Sequence, residues 1–173
     1  IAENNTRTFS ETMQTYIKSY KDFFYLNEGV PTVEQVRGKI ILLRRFSPVV
    51  EPQGNLLEFQ DNAIFTSNTT IVARIQDCYI VPSMLDRSIK WSEMMQLFQE
   101  ALVNTDSNKL FINFGSGGSD DCLPYAVAEY INPLLGYYLE FGQSNSFVGF
   151  VLFDFVNRYY NNLIEIVATR NYS

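Results

Sequence analysis

The chain has 173 residues, of which 46% are hydrophobic and 15% aromatic, so it can bury a core and is not intrinsically disordered. Its 13 basic and 19 acidic residues give a formal net charge of -6. Because nucleic-acid affinity comes from clustered Lys and Arg, this charge argues against a nucleic-acid partner. No apolar run approaches the roughly 20 residues that span a bilayer.

Helices are predicted where apolar residues recur at helical spacing. An aromatic-rich helix opens the chain, and the later ones contain stripes such as Trp91, Met94 and Phe98, which we expect to face the core. In chain order the predicted helices span about residues 10–25, 89–103, 127–138 and 162–170.

Four continuous apolar runs predict strands that are covered on both faces, as in parallel sheets. They span residues 40–43, 71–75, 110–114 and 148–156, with a long loop between the first and the second. The resulting alternation of strand and helix indicates repeated βα units and a parallel sheet. The glycine-rich segment 114–119 lacks the spacing of a nucleotide-binding motif, so we interpret it as a flexible strand-to-helix loop.

Polar residues collect where the predicted strands end. In parallel α/β folds all these carboxyl ends lie on one face, and that face carries ligands. The residues are Arg44 and Arg45 after the first strand, Asp77 and Tyr79 after the second, Asp120 and Asp121 after the third, and Asp154 late in the fourth.

Asp154 stands out because it lies inside an apolar run. A buried, unpaired carboxylate costs several kcal/mol, so a cation, hydrogen-bond donors or a histidine should accompany it. The chain contains no histidine. We therefore expect the partner of Asp154 to come from elsewhere.

The two cysteines, Cys78 and Cys122, fit two buried thiols or one disulfide, and no zinc-ligand spacing is present, so we expect no metal site. Three N-glycosylation sequons begin at Asn4, Asn68 and Asn171 and favour a secreted or lumenal protein. Because the chain starts at Ile1 without a signal peptide, we expect that a preceding segment has been removed.

Five segments, in this order, resemble the C-terminal half of the bacterial-type phosphatidylinositol-specific phospholipase C X-domain family. The resemblance covers nearly the whole chain from about Phe9. The segments are residues 36–46 (VRGKIILLRRF), 75–79 (IQDCY), 110–114 (LFINF), 124–133 (with PY and YINP) and 148–157 (VGFVLFDFVN).

The resemblance implies an α/β fold, the second half of a distorted TIM-type barrel with about four βα units, completed by an N-terminal half that this chain lacks. Residues 1–173 would then form the second half of one catalytic domain, with residues 1–8 a flexible terminus. It also implies cleavage between diacylglycerol and phosphoinositol through a cyclic inositol phosphate, with two histidines as general base and general acid.

Four site residues are carried over from the family. Asp154 matches the carboxylate that orients the general-base histidine. Arg45 matches an inositol-binding arginine, Asp77 an acceptor for inositol hydroxyls, and Tyr79 the aromatic residue that packs against the inositol ring. The alternative for Arg45 and Asp77 is a plain cross-strand ion pair.

The missing histidines leave two functions open. The chain is part of a phosphoinositide-cleaving enzyme at a membrane surface, with the other barrel half as a nicked or missing partner, or it is an inactive relative that binds an inositol or sugar headgroup or is structural. A metal-dependent phosphodiesterase is less favoured, because the segments show no acidic metal cluster. We expect no cofactor, although the eukaryotic type uses calcium and the sequence does not separate the two.

Overall fold

The computed structural model describes residues 6–48, 50, 53–142 and 147–171. Its four helices are α1 (Phe9–Ser19), α2 (Arg87–Leu102), α3 (Pro124–Phe141) and α4 (Leu163–Arg170). Its strands are β1 (Phe24–Tyr25), β2 (Ile40–Ile41), β3 (Leu43–Arg44), β4 (Asn55–Leu56), β5 (Ile64–Asn68), β6 (Val72–Gln76), β7 (Lys109–Phe114) and β8 (Phe150–Leu152).

The helices lie where the periodicity predicts them, and local chemistry explains their ends. The α1 helix begins with a capping box, in which the Thr8 side chain accepts from the Glu11 amide and the Glu11 side chain accepts from the Thr8 amide. Residues 1–8 were predicted to form a flexible terminus. Of these, residues 1–5 lie outside the described part, and residues 6–8 include Thr8, which caps α1. Pro124 starts α3, at a position that needs no amide hydrogen. The first helix is shorter than predicted, because a 3-10 turn at Lys21–Phe23 and β1 follow it.

The chain divides into two compact units, which we describe separately. The first unit comprises Ile1–Phe59 and Ser67–Val72, and the second comprises Gln60–Thr66 and Ala73–Ser173.

In the first unit, the apolar run 40–43 forms two short strands rather than one. β2 pairs in parallel with β1, and β3 pairs in parallel with β4. The predicted long loop after this run is wrong, since it contains β4 and β5. Two-residue strands give no sequence periodicity, and their pairing is set by partners distant in sequence.

The larger sheet has the strand order β5-β6-β7-β8. Three residues join β5 to β6, which allows only an antiparallel hairpin, since a parallel connection needs a crossover. β7 and β8 are parallel, with Ile112 opposite Phe150. A parallel bridge between Ile80 and Gly118 continues the contact between the chain after β6 and the chain after β7. The parallel βα arrangement is therefore confirmed from β6 onward.

Burial differs between the central strands and the last one. β6 and β7 are largely buried, whereas Phe150 and Leu152 of β8 are 53% and 41% exposed. The prediction of a strand over 148–156 covered on both faces is wrong. β8 is only three residues long and ends the strand order, so within the described residues only β7 pairs with it.

The core of the second unit lies between α2, α3, α4 and the sheet. Phe98 stacks on Tyr138 with ring centroids 5.2 Å apart, and Trp91 meets the same ring edge-on at 6.2 Å. The other members include Met94, Val127, Ile131, Leu135 and Leu163, all fully buried. Among the described residues, no helix is long and apolar enough to cross a membrane.

Candidate functional site

The candidate site is built on a tight turn immediately after β6. The Asp77 amide donates to the Ala63 carbonyl at 2.9 Å, and the Tyr79 amide donates to the Asp77 carbonyl at 3.0 Å. This second bond closes a three-residue turn centred on Cys78. The turn buries Cys78, leaves Asp77 half-buried and exposes the Tyr79 side chain.

The segment before β5 holds this turn from one side. The Tyr79 hydroxyl donates to Asp61 Oδ1 at 2.9 Å, and this hydrogen bond to a carboxylate raises the pKa of Tyr79. The Ile80 amide donates to Asn62 Oδ1 at 2.8 Å, with Asn62 in the left-handed conformation at φ 46°. Sequence reasoning missed Asp61 and Asn62, because it did not predict β5 and read this stretch as loop.

The glycine-rich segment after β7 holds the turn from a second side. The Gly118 amide donates to the Tyr79 carbonyl at 2.8 Å. A Cβ atom at Gly117 would lie 2.7 Å from the same carbonyl oxygen, which is closer than real Cβ contacts allow. Close backbone approach, rather than the flexibility that we expected, therefore accounts for glycine here.

Helix α2 holds the turn from a third side, through Lys90. The Lys90 side chain is 2% exposed, and its Nζ donates to the Cys78 carbonyl at 2.7 Å. Burial lowers the pKa of Lys90 to about 8, against the opposing charges of Glu93 and Asp77. Burial, followed by the nearby Glu93 carboxylate, raises the pKa of the Cys78 thiol to about 11. Sequence reasoning missed Lys90, although it lies one helical turn before the buried Met94.

Asp154 lies beyond the end of β8, not within it. Its side chain is half-buried, so the expectation of a carboxylate enclosed in a strand is wrong. The fully buried Asn132 on α3 fixes the backbone here, since its Nδ2 donates to the Asp154 carbonyl at 2.9 Å. The next residue, Phe155, has φ 52°, which turns the chain sharply after Asp154.

Asp77, Tyr79 and Asp154 share one edge of the sheet. They follow the carboxyl ends of β6 and β8, with the parallel β7 between them. Two strand spacings separate the two positions by about 10 Å, which leaves room for a small ring between them. Arg45 belongs to the first unit, where its side chain is exposed and its guanidinium carbon lies 4.4 Å from the Phe59 ring centroid. The adjacent Arg44 is buried and donates to the Phe46 carbonyl.

The described residues hold no cluster of three or more His, Cys, Asp or Glu side chains that could bind a metal ion. Both cysteines are buried free thiols, so the structure has the thiol alternative rather than a Cys78–Cys122 disulfide. The Cys122 Sγ lies 3.8 Å from the Met84 Sδ.

Two of the three sequon asparagines lie in the described part, and Asn4 lies outside it. Asn68 is exposed at the end of β5. Asn171 is exposed as well, but its Nδ2, the atom that a glycan would modify, donates to the carbonyls of Gly149 at 3.0 Å and Val167 at 3.3 Å. Asn68 is therefore the more accessible acceptor of the two.

An α/β chain with ligand-type residues at the carboxyl edge of its strands is typical of TIM-type barrel enzymes. The comparisons specify the kind: the chain resembles the bacterial phosphatidylinositol-specific phospholipases C, and its fold is the C-terminal half of their distorted TIM-type barrel. No family model matches the chain.

The similar proteins are longer than this chain. The 1-phosphatidylinositol phosphodiesterase of Listeria monocytogenes is 30% identical over 136 residues, which cover 75% of this chain and 40% of that protein. A variant of the phosphatidylinositol-specific phospholipase C from Staphylococcus aureus has a TM-score of 0.82 at 22% identity, covering 98% of this chain and 60% of that one. The solved Listeria monocytogenes enzyme has a TM-score of 0.72 at 25% identity, with the same coverage.

Proposed function

We propose that this chain forms the headgroup-binding part of a phosphodiesterase that cleaves phosphatidylinositol. The observation that carries the proposal is the common edge shared by Asp77, Tyr79 and Asp154, in a chain that resembles bacterial phosphatidylinositol-specific phospholipases C. Activity, substrate and partners of the whole protein are part of this proposal, because the chain spans less than half of the curated relative.

The chemistry of inositol suits these residues. The ring carries hydroxyl groups around its edge and apolar C–H groups on its faces. Asp77 accepts hydrogen bonds from the hydroxyls, and the exposed ring of Tyr79 packs against a face of the sugar. Since Asp61 anchors the phenol, the Tyr79 ring is pre-oriented for this packing. Arg45 lies in the first unit, and the inositol-binding role that the resemblance gives it stays a prediction.

The reaction requires groups from outside this chain. The inositol 2-hydroxyl oxygen attacks phosphorus while a general base takes its proton, and the bond from phosphorus to the diacylglycerol oxygen breaks as a general acid protonates that oxygen. Both proton-transfer groups are histidines in the family, and this chain has none. Asp154 orients the base histidine and stabilises the positive charge that the histidine acquires, in the way the aspartate of a serine-protease triad does.

A membrane surface agrees with the apolar residues around the site. The loops after β6, β7 and β8 expose Ile80, Leu85, Leu123 and Phe155 at the same edge as the candidate site. Exposed apolar groups around a polar site suit insertion among lipid headgroups. We include a secreted or lumenal location in the proposal, and it is supported by the exposed sequon asparagine, Asn68.

The partner is the N-terminal half of the same barrel. A closed barrel has no edge strands, whereas β8 ends its sheet and exposes Phe150 and Leu152. A strand supplied from outside this chain would pair with β8 and cover both side chains. The same segment would bring the histidines toward Asp154.

One alternative stays open because this chain supplies neither proton-transfer group: a relative that binds the inositol headgroup without cleaving it. Turnover of the complete protein separates the two functions. Phosphatidylinositol vesicles are incubated with the parent, and diacylglycerol and cyclic inositol phosphate are quantified.

Two variants and a matched control test the assigned roles. Asp154→Asn should lower kcat by about 10²-fold or more with little change in KM, since it removes the charge behind the general base. Asp77→Asn should raise KM by about tenfold, which is the effect of one hydrogen bond to a charged group. Asp106→Asn changes the same charge in the loop before β7, at the opposite edge, and should leave both constants unchanged.

The outcomes are distinct. Headgroup binding without turnover selects the alternative function. If the complete parent protein shows no headgroup binding and no turnover, both functions are rejected. An Asp154→Asn variant with parental kcat rejects the positioning role of that carboxylate.

A further inference from the structure

We infer that Lys90 is a positioning residue for the headgroup site, holding the Cys78 carbonyl so that Asp77 and Tyr79 face the ligand together. The inference deepens the proposed function and rests on it. Lys90 is not one of the four residues matched to the family. It contacts the backbone of the turn that carries Asp77 and Tyr79.

The first support is the burial of this cation. Lysines are almost never fully buried unless they are paired, because an ammonium group loses its hydration. Lys90 is 2% exposed, and the hydrogen bond from its Nζ to the Cys78 carbonyl is a short one of 2.7 Å. A charged donor makes this bond stronger than a neutral one. A side chain placed at such a cost points to a specific task for its charge.

The second support is the place of the bond in the turn. Cys78 is the central residue between Asp77 and Tyr79, so its carbonyl belongs to the peptide plane that leads directly into Tyr79. The two ends of the turn are held by backbone partners, the Ala63 carbonyl and the Gly118 amide. Lys90 is the side chain that holds the middle. Loss of this bond lets the central peptide rotate, which moves both ligand-facing side chains.

The third support is electrostatic. The groups that face Lys90 are the Cys78 thiol, the Asp77 carboxylate next to it and the Glu93 carboxylate on α2. Burial raises the pKa of the Cys78 thiol to about 11. Since burial lowers the pKa of Lys90 to about 8, Lys90 changes its charge between pH 7 and pH 9. Headgroup affinity should therefore fall as the pH rises through about 8.

The test is calorimetric titration of the complete protein with myo-inositol, a neutral ligand that does not titrate in this range. The parent should bind about fivefold more weakly at pH 9 than at pH 7, because about nine-tenths of the ammonium is then lost. Lys90→Met should bind about tenfold more weakly than the parent at pH 7 and show no change between the two pH values.

Lys109→Met is the matched control. Lys109 starts β7 at the opposite edge of the sheet, where its Nζ lies 5.2 Å from the Phe111 ring centroid. This variant should keep both the parental affinity and the parental pH dependence. A merely structural lysine would change the stability of the protein without changing the pH profile of inositol binding.

Three results overturn the inference. They are parental affinity in Lys90→Met, a parental profile in that variant, or a flat profile in the parent itself. The last measurement needs no variant, so it decides the matter if Lys90→Met does not fold. A parent that binds no inositol at either pH rejects the proposed function, and this inference with it.

Discussion

The buried Lys90 leads to a prediction about the pH dependence of the unfolding free energy, and this prediction does not depend on any ligand. The perturbation is a rise from about pH 7 to about pH 10, applied to the parent and to Lys90→Met. In the folded protein, burial lowers the pKa of Lys90 from 10.5 to about 8. Below pH 8 the lysine is charged in both states, and the folded state carries the full cost of its burial. Between pH 8 and pH 10.5 only the unfolded chain keeps the proton, so the parent becomes more stable as the pH rises.

The magnitude follows from these two pKa values. The interval between them corresponds to about 3 kcal/mol, of which about 2.5 kcal/mol develops between pH 7 and pH 10. Burial also raises the pKa of Tyr138, which would give the opposite trend at high pH, but this tyrosine is present in both proteins. The difference in unfolding free energy between Lys90→Met and the parent should therefore shift against the variant by about 2.5 kcal/mol over this interval.

The assay is urea unfolding followed by tryptophan fluorescence. Trp91 is the only tryptophan and is adjacent to Lys90 in α2, so the signal reports the second unit. Lys109→Met serves as the control, and its stability should track that of the parent at every pH. A difference between Lys90→Met and the parent that stays constant from pH 7 to pH 10 would refute the reasoning, since it would mean that Lys90 keeps its ordinary pKa.

Three other substitutions probe interactions within the second unit. Gly117→Ala should cost about 1–3 kcal/mol and weaken inositol binding, because its Cβ would lie 2.7 Å from the Tyr79 carbonyl oxygen. Asn171→Ala should cost about 1–2 kcal/mol in urea unfolding, since its side chain hydrogen-bonds the backbone that leads into β8. Glu100→Gln should cost at most about 1 kcal/mol at pH 7, because Arg74 and Glu100 are both partly exposed. Their hydrogen bond lowers the pKa of Glu100, so this difference should disappear as the pH falls through that lowered value.

A different result would contradict each of these three predictions. Parental inositol affinity in a folded Gly117→Ala protein would show that the glycine segment does not set the geometry of the turn. An Asn171→Ala protein with parental stability would mean that β8 is held by its pairing with β7 alone. A Glu100→Gln effect that persists at low pH would assign it to packing rather than to the ion pair.

The sequence predicted the helices because their apolar spacing is long and regular. The apolar stripe through Trp91, Met94 and Phe98 was predicted to face the core, and it does, since Met94 and Phe98 are fully buried and Trp91 packs against the core cluster. The prediction left out Lys90, which is buried on the same helix. A lysine counts as polar in any periodicity analysis, yet its long stem packs like an aliphatic side chain. The residue most informative about the site was therefore the one that the pattern excluded.

The turn after β6 was predicted as a site, while its supports were not. Asp77 and Tyr79 are recognised by their place after a strand and by the family resemblance. Asp61 lies 18 positions before Tyr79 and accepts a hydrogen bond from its hydroxyl. Gly117 lies 38 positions after Tyr79 and approaches its backbone carbonyl closely. Such contacts depend on how strands pair, and strand pairing between distant segments leaves no local periodicity.

The failed prediction at β8 carries information of its own. Residues 148–156 are apolar at nearly every position, a pattern typical of a strand covered on both faces. In the structure, Phe150 and Leu152 are about half exposed. Apolar side chains of this size stay in water at a cost of about 1 kcal/mol or more each. We propose that the pattern reflects an environment which this chain does not provide, a strand paired beside β8. Because Asp154 lies two residues after the end of β8, the same strand would also determine which side chain that carboxylate meets.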